Sequence, residues 1–166
     1  MLYRTLAIAA VALAAACNDP SGPEVGTFTA NVTGARTLQL EGTSSVALVY
    51  TETRPQGSYT ISMFDVAGNR THFVQIVCPN TEFFQVRTYT LTADENECHA
   101  RYYLTGTGQE VFTVYEEFIS ITGTFTVTAV TSTAVQGSFQ FTGDLSADGQ
   151  SNAPVTAAGV FNSVRQ

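Results

Sequence analysis

Two histidines are the side chains of this chain best suited to acid–base catalysis. His72 stands in the polar segment 69–72, and His99 directly follows Cys98. A hydrolase of the Ser-His-Asp type needs a histidine that accepts a proton from a nucleophile. The chain has no Gly-x-Ser-x-Gly motif, so no serine is marked as the partner of either histidine. We therefore predict two surface or half-buried strand histidines and no catalytic residues, and a hydrolase site assembled from distant residues is the alternative.

The densest group of carboxylates is Asp94-Glu95-Asn96-Glu97, directly before Cys98. A hard cation such as Ca²⁺ takes several oxygen ligands, and this turn could supply some of them. It lacks the EF-hand spacing and the central glycine, so we interpret it as a solvated acidic turn and predict no metal site. Glycine-rich phosphate loops, dinucleotide fingerprints and haem motifs are also absent from the sequence, and we expect no cofactor.

Aromatic side chains are concentrated in the middle third of the chain, where they include two adjacent pairs. These pairs are Phe83-Phe84 and Tyr102-Tyr103. Neighbouring side chains of a strand point to opposite faces, so one residue of each pair should face outward. Exposed aromatics can mark a binding patch, although a loop or a second sheet could equally cover them. These four residues are our candidate binding patch.

The N-terminus has the layout of a secretory signal peptide. Arg4 precedes an apolar stretch at 6–16, which ends in alanines before Cys17. The stretch is about half of the ~20 residues that a membrane-spanning helix needs, so we expect cleavage rather than a retained helix. Residues 18–24 contain Pro20 and Pro23, which favour an extended spacer.

Cys17, at the end of the small residues, resembles the acylated cysteine of bacterial lipoprotein signals. Those signals place Leu three residues before the cysteine, whereas here Ala14 holds that position and Leu13 stands one place earlier. Ala14-x-Ala16 also fits ordinary signal-peptidase cleavage, which leaves a soluble secreted protein as the alternative. We expect a signal peptide at 1–16, a lipidated Cys17 with its tether at 17–25, and a single domain at 26–166.

With Cys17 assigned to lipid, Cys78 and Cys98 remain as an even pair in an exported chain. Export leads to an oxidising compartment, so we predict a disulfide between them. Closing a loop of about 20 residues would contribute roughly 3 kcal/mol on the chain-entropy estimate. The alternative is a metal site formed by both cysteines and His99, but zinc ligands usually come in closely spaced pairs.

The charge of the chain excludes some partners. It carries 14 acidic and 7 basic residues, a formal net charge of −7. Phosphate contacts supply most of the affinity for nucleic acids, so we expect no DNA or RNA partner. Docking on anionic lipid needs a basic cluster. Contact with a membrane is therefore expected only through the N-terminal lipid.

From residue 26 onward the hydropathy alternates with a period of two, which predicts β-strands. Phe28, Ala30 and Val32, for example, alternate with polar residues. Turn residues recur at short intervals, so we predict an all-β domain, an antiparallel meander of eight to ten strands. A flattened barrel and a two-layer sandwich both fit this alternation.

Gly-[Thr/Ser]-Phe recurs at 26–28, 123–125 and 137–139, which we interpret as a turn glycine followed by an outward hydroxyl and an inward Phe.

The segments 121–127 and 135–142 form a Thr-rich hairpin pattern, and the chain ends on a strand like Ala158-Gly159-Val160-Phe161-Asn162. Over residues 118–163 this pattern resembles an uncharacterised family of small bacterial envelope lipoproteins. The resemblance implies an all-β domain of unknown function at the cell envelope and assigns no catalytic residues.

We expect a non-enzymatic, lipid-anchored binding module of the bacterial cell envelope. Its partner would be a protein, a glycan or a small apolar ligand, and the sequence carries no signal for an oligomeric state. A purely structural surface lipoprotein is the alternative. A deep apolar pocket would favour binding, whereas a fully packed interior would favour the structural role.

Overall fold

The computed structural model describes residues 23–52, 54–79, 82–108, 113–145 and 154–166. The predicted signal peptide, Cys17 and the tether as far as residue 22 lie outside the described residues. Nine strands occupy the described part of the chain. They are β1 (Thr27–Gly34), β2 (Leu38–Thr51), β3 (Arg54–Ala67), β4 (Arg70–Cys78), β5 (Thr88–Leu91), β6 (His99–Gly106), β7 (Val114–Val130), β8 (Ala134–Leu145) and β9 (Val155–Arg165).

The strands form a closed ring of hydrogen bonds. β1 to β4 pair in sequence, β4 pairs with β6, β6 to β9 again pair in sequence, and β9 pairs with β1. The short β5 pairs with β7 along Gly123–Thr126, beyond the part of β7 that β6 covers. This confirms the predicted antiparallel all-β meander. Because the ring closes, the domain is a flattened barrel rather than two open layers.

The alternation of the sequence matches the two faces of this sheet. Phe28, Ala30 and Val32 are buried in one continuous core, whereas the residues between them are at least partly exposed. Threonine suits the outer face because its branched Cβ favours extended backbone. Most of the side chains that fill the barrel interior are aromatic or aliphatic.

Glycines opposite phenylalanines let this interior close around large rings. Four buried phenylalanines each have a glycine as cross-strand partner. A Cβ on any of these glycines would overlap atoms of a neighbouring strand. The pairs are Phe28–Gly42, Phe141–Gly123, Phe161–Gly137 and Phe139–Gly159. The predicted turn role is therefore wrong for Gly123 and Gly137, which lie inside β7 and β8. Inward glycines are the sites where a barrel wall bends and neighbouring backbones approach.

A disulfide joins Cys78, the last residue of β4, to Cys98, directly before β6, with 4.1 Å between the Cα atoms. This agrees with the predicted pairing rather than with the metal alternative. The bond fixes both ends of the segment that carries β5 to two strands that already pair with each other. It therefore holds the acidic turn 94–97 against the start of β6.

Candidate functional site

The four aromatic residues of the predicted patch divide between the interior and the outside. Phe84 and Tyr102 are core residues, 3% and 0% exposed, whereas Phe83 and Tyr103 are only half-buried. The predicted strand alternation is confirmed for Tyr102-Tyr103 on β6, whereas Phe83 and Phe84 lie in the connection between β4 and β5. Phe84 and Tyr102 cannot contribute to an exposed patch. Phe83 packs on Tyr59, with 5.0 Å between ring centroids, and the Arg165 guanidinium lies 4.0 Å from its ring.

Tyr103 belongs to an aromatic row on the outer face of the barrel. It stacks on Phe73 with 4.8 Å between ring centroids, and Phe73 lies 5.8 Å from Phe64. Phe64, Phe73 and Tyr103 are consecutive cross-strand partners on β3, β4 and β6. The described structure shows no ring contact between this row and Phe83, so the four predicted residues do not form one surface.

Polar residues stand beside this aromatic row on the same three strands. Two residues away from the aromatic row on each strand lie Ser62, Gln75 and Arg101, which are again cross-strand partners. Two residues further along the same strands, the cross-strand partners are Thr60, Val77 and His99. Side chains two residues apart share a face of a strand, so all three rows point outward together.

These polar rows line a groove of about 300 Å³, which we call the outer groove. Ser58, Thr60 and Ser62 of β3 stand at every second position along it. Gln75 of β4 lies next to them, and its amide is 3.4 Å from Ser62 Oγ. The end of β2, Arg54, Glu95, His99 and Arg101 complete the lining.

Charged side chains in and beside the outer groove are paired with each other. Arg101 Nη2 lies 2.7 Å from Glu95 Oε1, and Arg101 Nη1 lies 3.3 Å from Glu117 Oε1. Arg54 Nη2 lies 3.7 Å from Glu95 Oε2 and also donates to the Glu95 carbonyl. Glu95 of the predicted acidic turn is thus bound by two arginines. Within the described residues, no three His, Cys, Asp or Glu side chains are grouped to hold a metal ion.

His99 lies beneath the acidic turn and is 0% exposed, so the predicted surface or half-buried position is wrong. Its Nδ1 is 3.1 Å from the Glu97 carbonyl oxygen. A carbonyl oxygen only accepts, so Nδ1 carries the proton. Burial lowers the pKa of His99, with a smaller effect in the same direction from Arg101 and an opposing one from the Glu97 hydrogen bond. The ring is therefore neutral at pH 7, and its Nε2 is an acceptor.

Three buried side-chain atoms have no hydrogen-bond partner among the described residues, and all three belong to residues of the outer groove. They are Ser58 Oγ, His99 Nε2 and Arg101 Nε. A buried polar group without a partner costs about 1–3 kcal/mol, and folded proteins contain few of them. Their coincidence in one groove marks it as a place where a ligand can supply the missing hydrogen bonds.

His72 lies inside the barrel, 8% exposed, so its predicted surface or half-buried position is also wrong. Its Nδ1 is 2.9 Å from the hydroxyl of Tyr102, and burial raises the pKa of Tyr102 to about 12. Burial also lowers the pKa of His72. Arg36 and Glu116 form an ion pair whose charges act on Tyr102, and Arg36 Nε donates to Glu116 Oε2 at 2.9 Å. His72 and Tyr102 are thus partners inside the barrel, whereas Arg36 and Glu116, each about one-third exposed, pair with each other.

The sequence prediction missed Ser58, Thr60, Ser62, Gln75 and Arg101 as site residues. The one available signal was the run of hydroxyls at every second position of β3. Such a run is also the ordinary composition of an outward strand face. Only the register of β3, β4 and β6 places Gln75 and Arg101 beside it.

No known protein family, no curated protein and no solved structure matches this chain. In the described part of the chain, no helix has the length and apolar character needed to cross a membrane. The site therefore has to be interpreted from its own geometry.

Proposed function

We propose that this domain is a non-enzymatic binding module and that its ligand occupies the outer groove. The observation that carries this proposal is the coincidence of three unpartnered buried polar atoms, Ser58 Oγ, His99 Nε2 and Arg101 Nε, in one groove. Small-molecule sites occupy roughly 300–1,000 Å³ and orient their ligand with a few convergent polar groups. The outer groove lies at the lower end of that range, so it suits a small ligand or one unit of a larger one.

The chemistry of the lining favours a ligand that forms hydrogen bonds over a small apolar one. Nine of the eleven described residues that line the groove have polar side chains, with hydroxyl, amide, imidazole, guanidinium or carboxylate groups, and the other two are Val49 and Val77. The purely structural alternative gives no reason for three unpartnered polar atoms at one site, since packing alone would favour apolar residues there.

The environment of both histidines supports binding rather than hydrolysis. His99 and Ser58 both line the groove, yet each lacks the other as a hydrogen-bond partner, so His99 does not activate that hydroxyl. His72 contacts a buried phenol with a pKa of about 12, which is a poor nucleophile at neutral pH. General-base catalysis requires the nucleophile within hydrogen-bonding reach of the base.

A ligand screen by NMR tests the location of the site. Purified, isotope-labelled protein is titrated with small neutral sugars, sugar acids, dicarboxylates and dipeptides. We expect at least one class to shift the backbone amide resonances of Thr60, Gln75 and Arg101. Gln75→Ala should weaken that binding, whereas Gln140→Ala, a matched change on the outer face of β8, should not. If no class shifts these resonances, or if both variants behave alike, the outer groove is not the binding site.

The cellular location of the protein is also a proposal, and it rests on the sequence. Cys17, acylated, would hold this module at the bacterial cell envelope on a short tether, with the secreted soluble form as the alternative. The formal charge of −7 supports a lipid anchor rather than electrostatic membrane contact.

A further inference from the structure

We propose that the outer groove binds a neutral saccharide, whose hydroxyl groups form hydrogen bonds with Ser58, His99 and Arg101. This inference rests on the proposed function and names the ligand class of the same site. It follows from which of the unpartnered groups donate and which accept.

The first requirement is a hydrogen-bond donor for His99. Its Nδ1 proton is used by the Glu97 carbonyl, 3.1 Å away, so its Nε2 carries a lone pair. No described residue donates to that lone pair. A carboxylate or a phosphate oxygen cannot donate either, and placing one there would bring two acceptors together.

The second requirement is a hydrogen-bond acceptor for Arg101. This residue lies two positions after His99 on β6, and both side chains share the outer face. Its Nη1 and Nη2 are occupied by Glu117 and Glu95, at 3.3 Å and 2.7 Å. Its Nε–H, which only donates, has no partner among the described residues. An ammonium group cannot accept from it, so a cationic ligand fails at this position.

A hydroxyl group meets both requirements, because it donates one hydrogen bond and accepts two. Ser58 Oγ, the third unpartnered atom, can take either role towards it. The charges around the groove add no preference for an ion, since Arg54 and Arg101 are balanced by Glu95 and Glu117. The groove therefore fits a neutral ligand with several hydroxyls.

The surroundings of the groove fit the two kinds of surface that a sugar ring presents. Thr60 and Ser62 continue the hydroxyls of β3, about 7 Å apart along the strand. The aromatic row of Phe64, Phe73 and Tyr103 lies next to the row of Ser62, Gln75 and Arg101. Phe64 is 39% exposed. Polar groups can thus meet the hydroxyls while apolar ring edges border the C–H face of the sugar.

The test compares methyl glycosides of neutral sugars with the matching uronic acids, in which a carboxylate replaces one CH₂OH group. Glucose, galactose and mannose are each used in both forms, and N-acetylglucosamine is added as a neutral probe. Binding is followed by the amide shifts of Thr60, Gln75 and Arg101. We expect at least one neutral glycoside to bind at this groove, and its uronic acid to bind at least fivefold more weakly.

Variants that remove a single hydroxyl test the contribution of the groove hydroxyls to binding. Thr60→Val removes a hydroxyl from the groove, and Thr124→Val removes one from the outer face of β7 as the matched control. We expect Thr60→Val to weaken the binding of the neutral glycoside about fivefold, the loss of one neutral hydrogen bond, and Thr124→Val to leave it unchanged. Ser58→Ala is the second groove variant, in case Thr60→Val unfolds the domain, and the same fivefold loss is expected.

The outcomes separate this inference from the proposed function. If uronic acids, dicarboxylates or dipeptides bind at the groove and neutral glycosides do not, the saccharide proposal is wrong and the binding site stands. If no probe shifts the groove resonances, both proposals are overturned. Equal losses for Thr60→Val and Thr124→Val would overturn the assignment of the sugar to this groove.

Discussion

His72 and His99 are both buried, although each lies in a polar stretch of the sequence. His72 faces inward on β4 and contacts Tyr102. His99 faces outward on β6, but it lies beneath the acidic turn and contacts the Glu97 carbonyl. Alternation along a strand predicts the face on which a side chain stands. It does not predict what covers that face, and this is why the sequence placed His99 closer to the surface.

These two histidines predict how stability depends on pH. Burial lowers the pKa of both in the folded state, so below the ordinary value of about 6.5 the unfolded chain binds more protons. The free energy of unfolding is then lost as the pH falls, by up to about 1.4 kcal/mol per pH unit for each histidine. Above that value both states are neutral, and the contribution is fully present.

Urea titrations between pH 8 and pH 5 measure this effect. We expect the free energy of unfolding to fall below pH 6.5, and His99→Gln to reduce the slope because one of the two groups no longer titrates. A flat profile between pH 7.5 and 5.5 would contradict the burial of both rings.

At the scale of the strands, three neighbours carry the same outward pattern. β3, β4 and β6 each present an aromatic residue next to polar ones, and the register aligns them into rows. A slip of one residue in any strand would turn its row towards the core. The site therefore depends on the register as much as on residue type.

The glycines that face phenylalanines give a prediction at the same scale. A Cβ at Gly137 would overlap the Thr126 carbonyl oxygen and lie 2.8 Å from Phe161 Cζ. We expect Gly137→Ala to lower the free energy of unfolding by about 3 kcal/mol, the upper end for an overpacked interior. Urea unfolding measures the loss.

Gly68→Ala is the control for this substitution. Gly68 has a positive φ of 64°, and no atom lies within 4 Å of the position that a Cβ would take, so alanine there meets backbone strain and no overlap. Its cost should be about 1 kcal/mol. Equal losses for the two variants would mean that close packing of Gly137 against β7 is not what requires glycine.

At the scale of the whole molecule, closure of the ring separates two environments. The interior is an aromatic and aliphatic core, and the outer groove stands on the wall formed by β2, β3, β4 and β6. The disulfide connects this wall to the acidic turn that covers His99. Binding at the outer groove would therefore leave the packed interior unchanged.

The proposed anchor is tested on the whole protein by its intact mass after extraction from membranes. We expect the mass of residues 17–166 increased by acyl chains, because two or more chains are needed for stable anchoring. Cys17→Ala should give a protein without acyl chains that is recovered in the soluble fraction. A mature wild-type mass without acyl chains would identify the protein as the secreted form.

The sequence by itself determined the all-β fold class, the antiparallel meander and the pairing of Cys78 with Cys98. These properties depend on local periodicity, turn residues and a count of cysteines, all of which can be seen along the chain. It also predicted correctly that one residue of the Tyr102-Tyr103 pair on β6 would face inward, because side-chain direction alternates within a strand.

The tertiary structure decided the closure of the barrel and the position of the site. Arg101 and Ser58 are separated by 43 positions in the chain, yet both line the outer groove. Hydrogen bonds between strands set this proximity, and they depend on backbone pairing that no single strand encodes. Whether a buried polar atom has a hydrogen-bond partner depends on that pairing too, so only the folded barrel shows that Ser58 Oγ, His99 Nε2 and Arg101 Nε have none among the described residues.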